Sequence, residues 1–311
     1  MHLFNRFRRG ARRSSTPARF DDVFYRRLER LTLLAERTLR GRPGGEHLST
    51  RTLPSAEFTQ HRPYVAGDDP RYVDWAVYAR SDEHFVRLGE TPQDVRVHLL
   101  VDRSASMAWG WPRTKLDAAC QVAAVLGHIA LAAGDVVRVV PVAQRLGPGF
   151  GPASGKARSQ ALLRFLAALQ PARGTALAAS LSDYAAARHG HGGLLVLLSD
   201  LWTLEAEALD GLLRRVRPPR WQVLVLQMLD PSETTPQPVG ETELEDLETG
   251  LRVMLRLDPA TIAAYQAHLE AWYTDLATTC SRHGATILRL DSTWGLDTVV
   301  VPFLTARRVL G

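Results

Sequence analysis

From residue 94 onward, short apolar runs alternate with longer segments of helical periodicity, and this alternation constrains the fold more than any other feature. The first run, at residues 95–101, carries valine and leucine on consecutive positions. Such a run predicts a strand that is buried on both faces of a parallel sheet. Similar runs lie at residues 136–142, 194–198, 221–228 and 285–290. Strands that alternate with helices predict an α/β protein with a doubly wound, mostly parallel sheet.

The helices of this region are marked by their periodicity and by their ends. Thr114 and Asp117 resemble a capping box in front of an apolar segment, and Gly134 follows that segment. A helix that begins after Thr114 and runs through Ala133 is therefore predicted. Further helices are predicted at residues 158–169, 177–188, 204–216 and 259–283.

Three parts of the chain can be distinguished. Residues 1–20 are polar, arginine-rich and without periodicity, which predicts a disordered basic arm. Residues 21–93 predict an N-terminal subdomain, because an amphipathic helical pattern is followed there by short strands between prolines. Residues 94–311 form the predicted α/β domain, with a β-hairpin inserted at about residues 241–257 that turns at residues 248–250.

The composition bounds the environment in which the chain works. No stretch approaches eighteen uninterrupted apolar residues, so we expect no transmembrane helix. The first residues carry arginines where a signal peptide needs an apolar segment, which argues against export by that route. The two cysteines, Cys120 and Cys280, provide neither a disulfide framework nor a cysteine metal site. These features predict a cytoplasmic protein.

The net charge of +5 is unevenly distributed. Residues 1–42 contain twelve arginines and four acidic residues, whereas the rest of the chain contains 26 basic and 29 acidic residues. Because a basic arm is attracted to anionic surfaces, we predict weak contact with an anionic membrane or with nucleic acid. Membrane contact would make the protein peripheral there. A solvated tail without a partner is an equal alternative.

Three oxygen-bearing side chains follow the first predicted strand. Asp102, Ser104 and Ser106 stand at alternate positions in an Asp-x-Ser-x-Ser loop. These side chains can converge on one point if the loop wraps around it. A carboxylate with hydroxyls suits Mg²⁺ or Mn²⁺ better than a soft metal. The alternative is that the three side chains only satisfy backbone amides in a tight turn.

Two further oxygens stand in later loops. Thr175 lies between two predicted helices, and Asp200 ends the next buried strand. In open α/β sheets, ligands collect beyond the carboxyl ends of the strands, so these residues are expected near the first loop. As the alternative, each residue simply caps the helix that follows it.

This set of residues is similar to a known metal site. Asp-x-Ser-x-Ser, then Thr, then Asp resembles the metal-ion-dependent adhesion site of von Willebrand factor type A domains. The resemblance implies a divalent cation, Mg²⁺ or Mn²⁺. The implied metal-site positions are Asp102, Ser104, Ser106, Thr175 and Asp200.

A segment upstream of this loop narrows the resemblance. Three segments resemble the signature of a bacterial family, domain of unknown function 58. They are Glu57-Phe58, the run from Arg62 to Trp75 with its Gly-Asp-Asp and Asp-Trp motifs, and Ala79-Arg80. Members of that family carry a type A domain and are commonly encoded beside MoxR-type AAA+ ATPases. Many members also have N-terminal membrane helices, which this sequence lacks.

The Gly-Asp-Asp segment allows a second metal hypothesis. Adjacent carboxylates on an extended strand point in opposite directions, so Asp68 and Asp69 could share an ion only in a turn. We favour ion pairs instead, in which Asp68 and Asp74 pair with nearby arginines and hold the N-terminal subdomain to the main domain. The arginines concerned are Arg62, Arg71 and Arg80.

Two classes of function are compared. The resemblance implies an adaptor or co-chaperone without enzymatic activity or a small-molecule substrate. It would bind a partner's carboxylate through Mg²⁺ and act with a MoxR-type AAA+ ATPase. The alternative is a Mg²⁺-dependent hydrolase that uses Asp102. We favour the adaptor, because a hydrolase needs a general base and no His or Glu is expected in the strand-end loops around Asp102.

Overall fold

A computed structural model describes most of the chain. The described residues are 19–21, 23–30, 50–54, 60–66, 68–92, 95–172, 176–187, 192–202, 204, 206–237, 240–296 and 301–306. Of the predicted disordered arm, only residues 19 and 20 are among the described residues. Thr175 lies outside them. The chain forms two compact units, Arg40–Val95 and Met1–Leu39 together with Arg96–Gly311.

The described residues contain both helices and strands. The strands are β1 (Thr50–Pro54), β2 (Gln60–Pro63), β3 (Phe85–Pro92), β4 (Arg96–Asp102), β5 (Val136–Val142), β6 (Phe150–Ala153), β7 (Gly193–Ser199), β8 (Trp221–Leu229), β9 (Gly240–Glu245), β10 (Arg252–Leu257) and β11 (Thr286–Asp291). The helices are α1 (23–30), α2 (Trp75–Ser81), α3 (Lys115–Ala133), α4 (Ser159–Ala167), α5 (Leu177–Ala187), α6 (Ala206–Arg215), α7 (Pro231–Thr234), α8 (Pro259–Arg282) and α9 (Val301–Ala306).

The smaller unit contains an antiparallel sheet in the order β1-β3-β2. Three of its aspartates are bonded within the unit. Asp68 lies 2.8 Å from the Arg62 guanidinium, and Asp69 lies 2.6 Å from that of Arg71. Asp74 caps the N-terminus of α2 by accepting hydrogen bonds from two backbone amides. Asp68 therefore has an arginine partner, as favoured from the sequence, but that partner lies in the same unit. The second arginine pair is made by Asp69, whereas Asp74 bonds to His61 and caps α2.

The larger unit is built on a six-stranded sheet in the order β11-β8-β7-β4-β5-β6. Every neighbouring pair is parallel except β5 and β6. The predicted mixed α/β architecture with a mostly parallel sheet is confirmed. In β4 every residue from Val97 to Asp102 is buried, because strands flank it on both sides and helices cover the sheet. The core between β7, β8 and helices α5, α6 and α8 consists mainly of leucine and valine side chains, with Tyr184, Trp221 and Cys280 among them.

Helix α3 follows the loop after β4. Thr114 caps its start by accepting a hydrogen bond from the Asp117 amide at 3.1 Å, and Gly134 ends it at a φ of 95°. Both predicted ends are confirmed. By length and composition α3 is also long and apolar enough to cross a membrane, with a mean hydropathy of 1.6. However, 78% of that apolar window is buried inside the protein, as in the core helix of a soluble domain.

Strands β9 and β10 form a separate antiparallel pair, with Glu245 opposite Arg252 and Gly240 opposite Leu257. Asp246 holds the turn between them, because its carboxylate accepts the Glu248 amide at 2.8 Å and its carbonyl accepts the Gly250 amide at 2.7 Å. Gly250 has a φ of 74°, which glycine adopts without strain. The turn thereby presents Glu248 at its tip.

Candidate metal centre

Three neighbouring strands of the larger sheet end in acidic residues. Asp102 is the last residue of β4, Asp200 follows β7, and Asp230 follows β8. Because these strands are parallel and adjacent, their carboxyl ends meet at one edge of the sheet. Asp230 was not among the predicted site residues. Its carboxylate caps α7 and accepts a hydrogen bond from Ser292 at 2.9 Å, which makes its role structural.

Asp102 is fully buried at the centre of this edge. Its Oδ1 accepts the Ser104 amide at 2.8 Å, and its Oδ2 accepts the Ser199 hydroxyl at 2.5 Å. Both donors are neutral. Burial, together with the nearby charge of Asp200, raises the pKa of Asp102 to about 7. A cation placed beside this carboxylate would stabilise its charged form.

The Ser199 hydroxyl joins two strand ends. Besides donating to Asp102, it accepts the Leu201 amide at 3.0 Å. Leu201 is fully buried and has a φ of 63°, a left-handed conformation that is uncommon for a residue with a side chain. The backbone that follows β7 is therefore shaped around the hydroxyl that contacts Asp102.

The two serines of the Asp-x-Ser-x-Ser loop lie side by side. The Oγ atoms of Ser104 and Ser106 are 3.0 Å apart, and both residues are buried. A short 3-10 turn at Ala105–Ala108 bends the chain there, so that alternate residues face the same point. The structure thus brings Asp102, Ser104 and Ser106 together in one loop.

Asp200 lies at the same edge but is bonded to a lysine. The Lys115 ammonium is 2.7 Å from Asp200 Oδ2 and 2.6 Å from Glu233 Oε1. The other oxygen of Asp200 accepts the Trp202 amide at 3.2 Å. Lys115 is fully buried. Burial alone would lower the pKa of Lys115, but the charges of Asp200 and Glu233 outweigh burial and raise it.

Sequence reasoning missed Lys115 and Glu233. A signal for the lysine was present, since Lys115 is one of only two lysines and opens the helix after the Asp-x-Ser-x-Ser loop. Glu233 also contradicts the expectation that no glutamate would lie in the strand-end loops, which was used to favour the adaptor over the hydrolase. It lies in the short helix α7 directly after β8, so a glutamate is present beyond the strand ends. Its carboxylate is bonded to Lys115.

Glu248 was also missed as a site residue. From the turn between β9 and β10, its Oε1 accepts the Ser106 amide at 2.9 Å. Its Oε2 is buried and has no hydrogen-bond partner within the part of the chain that the structure describes. A second carboxylate therefore lies against the serine loop.

The chemistry of these groups fits a hard divalent cation. Asp102, Ser104 and Ser106 offer oxygen atoms, and Glu248, whose Oε1 accepts the Ser106 amide, has its second oxygen buried without a hydrogen-bond partner in the described residues. Mg²⁺ and Mn²⁺ prefer such ligands. In the described ranges no group of three or more His, Cys, Asp or Glu side chains is suited to a metal ion, so a site here would depend on hydroxyls. Thr175 lies outside those ranges, and its assignment remains a prediction.

The fold and this edge define an α/β protein with an oxygen-lined loop at the carboxyl end of a central strand. Residues 60–272 match the family described as protein of unknown function DUF58. Since the match covers more than half of the chain, the protein belongs to the DUF58 family. The resemblance seen in the sequence upstream of the loop is thereby confirmed at the level of the family.

Relatives of similar length are found in mycobacteria. The uncharacterized proteins Rv1480 of Mycobacterium tuberculosis and Mb1516 of Mycobacterium bovis are each 29% identical to this chain over 294 residues. Each match covers 90% of this chain and 89% of the relative.

Similar solved structures are more distant. BatB from Bacteroides thetaiotaomicron is 15% identical, with a TM-score of 0.42, over 70% of this chain and 98% of its own. An aerotolerance-related membrane protein from Bacteroides fragilis is 20% identical, with a TM-score of 0.38, over 63% of this chain and 92% of its own.

Proposed function

We propose that this protein is a metal-dependent protein-binding adaptor or co-chaperone that acts with a MoxR-type AAA+ ATPase. It would bind a partner's carboxylate through a Mg²⁺ or Mn²⁺ ion at a site of the von Willebrand factor A type. The observation that carries the proposal is the fully buried Asp102 carboxylate, which lies between neutral donors and beside two serine hydroxyls.

The charge balance at Asp102 supports a cation. Its carboxylate receives hydrogen bonds from an amide and a hydroxyl, and the nearby Asp200 adds negative charge. Burying a charge without a counter-ion is costly, so a divalent ion beside Asp102 would relieve that cost. The Lys115 ammonium bonds to Asp200 and Glu233 instead.

The ligand type supports binding rather than turnover. Hydroxyl ligands such as Ser104 and Ser106 neutralise less of the ion's charge than carboxylates do. The ion would then attract an outside carboxylate through a strong charge-assisted contact. Mg²⁺ prefers six oxygens and commonly retains waters, so one position could pass from water to partner.

The ATPase partnership rests on the resemblance of the segment between Arg62 and Trp75 to the DUF58 signature. The proposed location is the cytoplasm, with the basic arm as the part that would contact an anionic membrane.

The experiment is a binding titration between the purified full chain and the MoxR-type ATPase from the same genome, with Mg²⁺ or with EDTA. Binding should require Mg²⁺ and should be lost in Ser104→Ala. Ser281→Ala, on the exposed side of α8, is the matched control and should bind normally. Equal affinity in Mg²⁺ and EDTA would refute the adaptor mechanism.

A separate assay addresses the hydrolase alternative. The full chain is incubated with Mg²⁺ and a generic phosphomonoester or phosphodiester, and product is measured over time. The adaptor proposal expects no turnover above the rate of the Asp102→Ala variant. Turnover that depends on Mg²⁺ and on Asp102 would replace the adaptor with the hydrolase.

A further inference from the structure

Glu248 makes a contact that its position in the sequence does not suggest. It lies 142 residues from Ser106, yet its Oε1 accepts the Ser106 amide at 2.9 Å. Its second oxygen is buried without a hydrogen-bond partner in the described part of the chain. Buried carboxylate oxygens normally have partners, since an unsatisfied one costs free energy. The described part of the chain therefore offers this oxygen no donor, which leaves it available to bind a cation.

The turn that carries Glu248 is well defined. Asp246 accepts the backbone amides of Glu248 and Thr249 and also the Thr249 hydroxyl. Its carbonyl accepts the Gly250 amide, and the two strands of the hairpin pair in register from either side. Glu248 is thus held against the serine loop by a built turn.

We infer that Glu248 is an internal ligand of the divalent ion and takes the coordination position that a partner's carboxylate would use. This inference rests on the proposed metal site. Asp102 and Glu248 would together supply two negative charges, which matches one divalent ion, while Ser104 and Ser106 supply neutral oxygens. Glu248 therefore keeps the site closed, and a partner binds by displacing the hairpin turn.

The test measures Mn²⁺ binding to the full chain and the relaxation of water protons by the bound ion. Glu248→Gln keeps an oxygen that can accept the Ser106 amide but removes the charge. We expect Glu248→Gln to weaken Mn²⁺ binding by about tenfold or more, which is the effect of losing one charge-assisted contact. We also expect faster water relaxation, because a water takes the vacated position. Glu241→Gln, an exposed glutamate on the same hairpin, should match the wild type in both measurements.

Acetate serves as the second probe. In Glu248→Ala, added acetate should lower the water relaxation of bound Mn²⁺ toward the wild-type value, because the free carboxylate fills the position. The wild type should respond much less, since Glu248 already occupies it. Thermal unfolding in EDTA verifies that both Glu248 variants are folded.

The outcomes distinguish a failure of the internal ligand Glu248 from a failure of the proposed metal site. If the wild type binds no Mn²⁺, both the metal site and the internal ligand are refuted. If the wild type binds Mn²⁺ and Glu248→Gln binds it equally well with unchanged water relaxation, the internal ligand is refuted and the metal site stands.

Discussion

The Lys115 ammonium lies 2.7 Å from the carboxylate of Asp200, and both side chains are almost completely buried. The two residues are 85 positions apart and join the start of α3 to the end of β7. Glu233, after β8, shares the same ammonium at 2.6 Å. One lysine thereby links three elements at the edge of the sheet that carries the candidate site.

Replacing Lys115 should be strongly destabilising. Lys115→Met keeps most of the side-chain volume but leaves the carboxylates of Asp200 and Glu233 buried without a cation, which costs about 3–5 kcal/mol. The free energy of unfolding is measured by urea denaturation. Lys156→Met, at the only other lysine, is the control and should change stability by less than about 0.5 kcal/mol because Lys156 is exposed. A loss below about 1 kcal/mol for Lys115→Met would show that the ion pairs contribute little.

Replacing Asp102 by asparagine should separate metal binding from folding. In EDTA, Asp102→Asn should be at least as stable as the wild type, since it removes a buried charge and keeps an oxygen for the Ser104 amide. With Mg²⁺ at a hundredfold excess over Kd, only the wild type should gain stability, by about 2.7 kcal/mol. Thermal unfolding with and without Mg²⁺ measures both effects. The same Mg²⁺ response in the variant would remove Asp102 from the site.

Arg19 should matter for stability although it lies within the predicted basic arm, residues 1–20. Its guanidinium contacts Asp117 at 2.7 Å and donates to the carbonyls of Leu166 and Leu169 at 2.6 and 2.8 Å. Arg19→Ala should cost about 1.5–3 kcal/mol, the range for hydrogen bonds to charged groups. Arg214→Ala is the control, because that side chain is 70% exposed in its ion pair with Asp210 and should cost at most about 1 kcal/mol. Equal losses in urea denaturation would contradict this assignment.

The arm itself should act only through its charge. A variant that lacks residues 1–18 and retains Arg19 should keep the wild-type free energy of unfolding. At low salt it should lose association with vesicles containing anionic lipid and with RNA, and in the full chain that association should fall as salt is added. Vesicle co-sedimentation and filter binding measure the two ligands separately. If the full chain binds neither at low salt, the arm is a solvated tail.

The parts of the fold that were predicted correctly depend on local signals. The apolar run of β4 and the capping residues Thr114 and Gly134 determine strand and helix ends within a few residues of themselves. The mostly parallel direction of the strands could be predicted from the alternation of strands and helices. Asp102, Ser104 and Ser106 could be grouped because one loop carries them.

The parts that were missed depend on contacts between distant segments. Lys115 gives no local sign that it reaches Asp200, and Glu248 gives none that it reaches Ser106 across 142 positions. Both contacts arise because strand ends and a hairpin from distant parts of the chain pack together. The spacing of residues in a single sequence does not show which distant segments meet. The rarity of lysine could draw attention to Lys115, but only the structure shows that its ammonium contacts Asp200 and Glu233.

The hydrogen bonds of Ser199 turn one backbone amide into a reporter. Its hydroxyl contacts Asp102 on one side and the Leu201 amide on the other. An ion that draws Asp102 toward itself would reorient that hydroxyl and alter the protection of the Leu201 amide against exchange with deuterium. Exchange at this single buried position could therefore follow the state of the site in the unmodified protein, without any label or substitution.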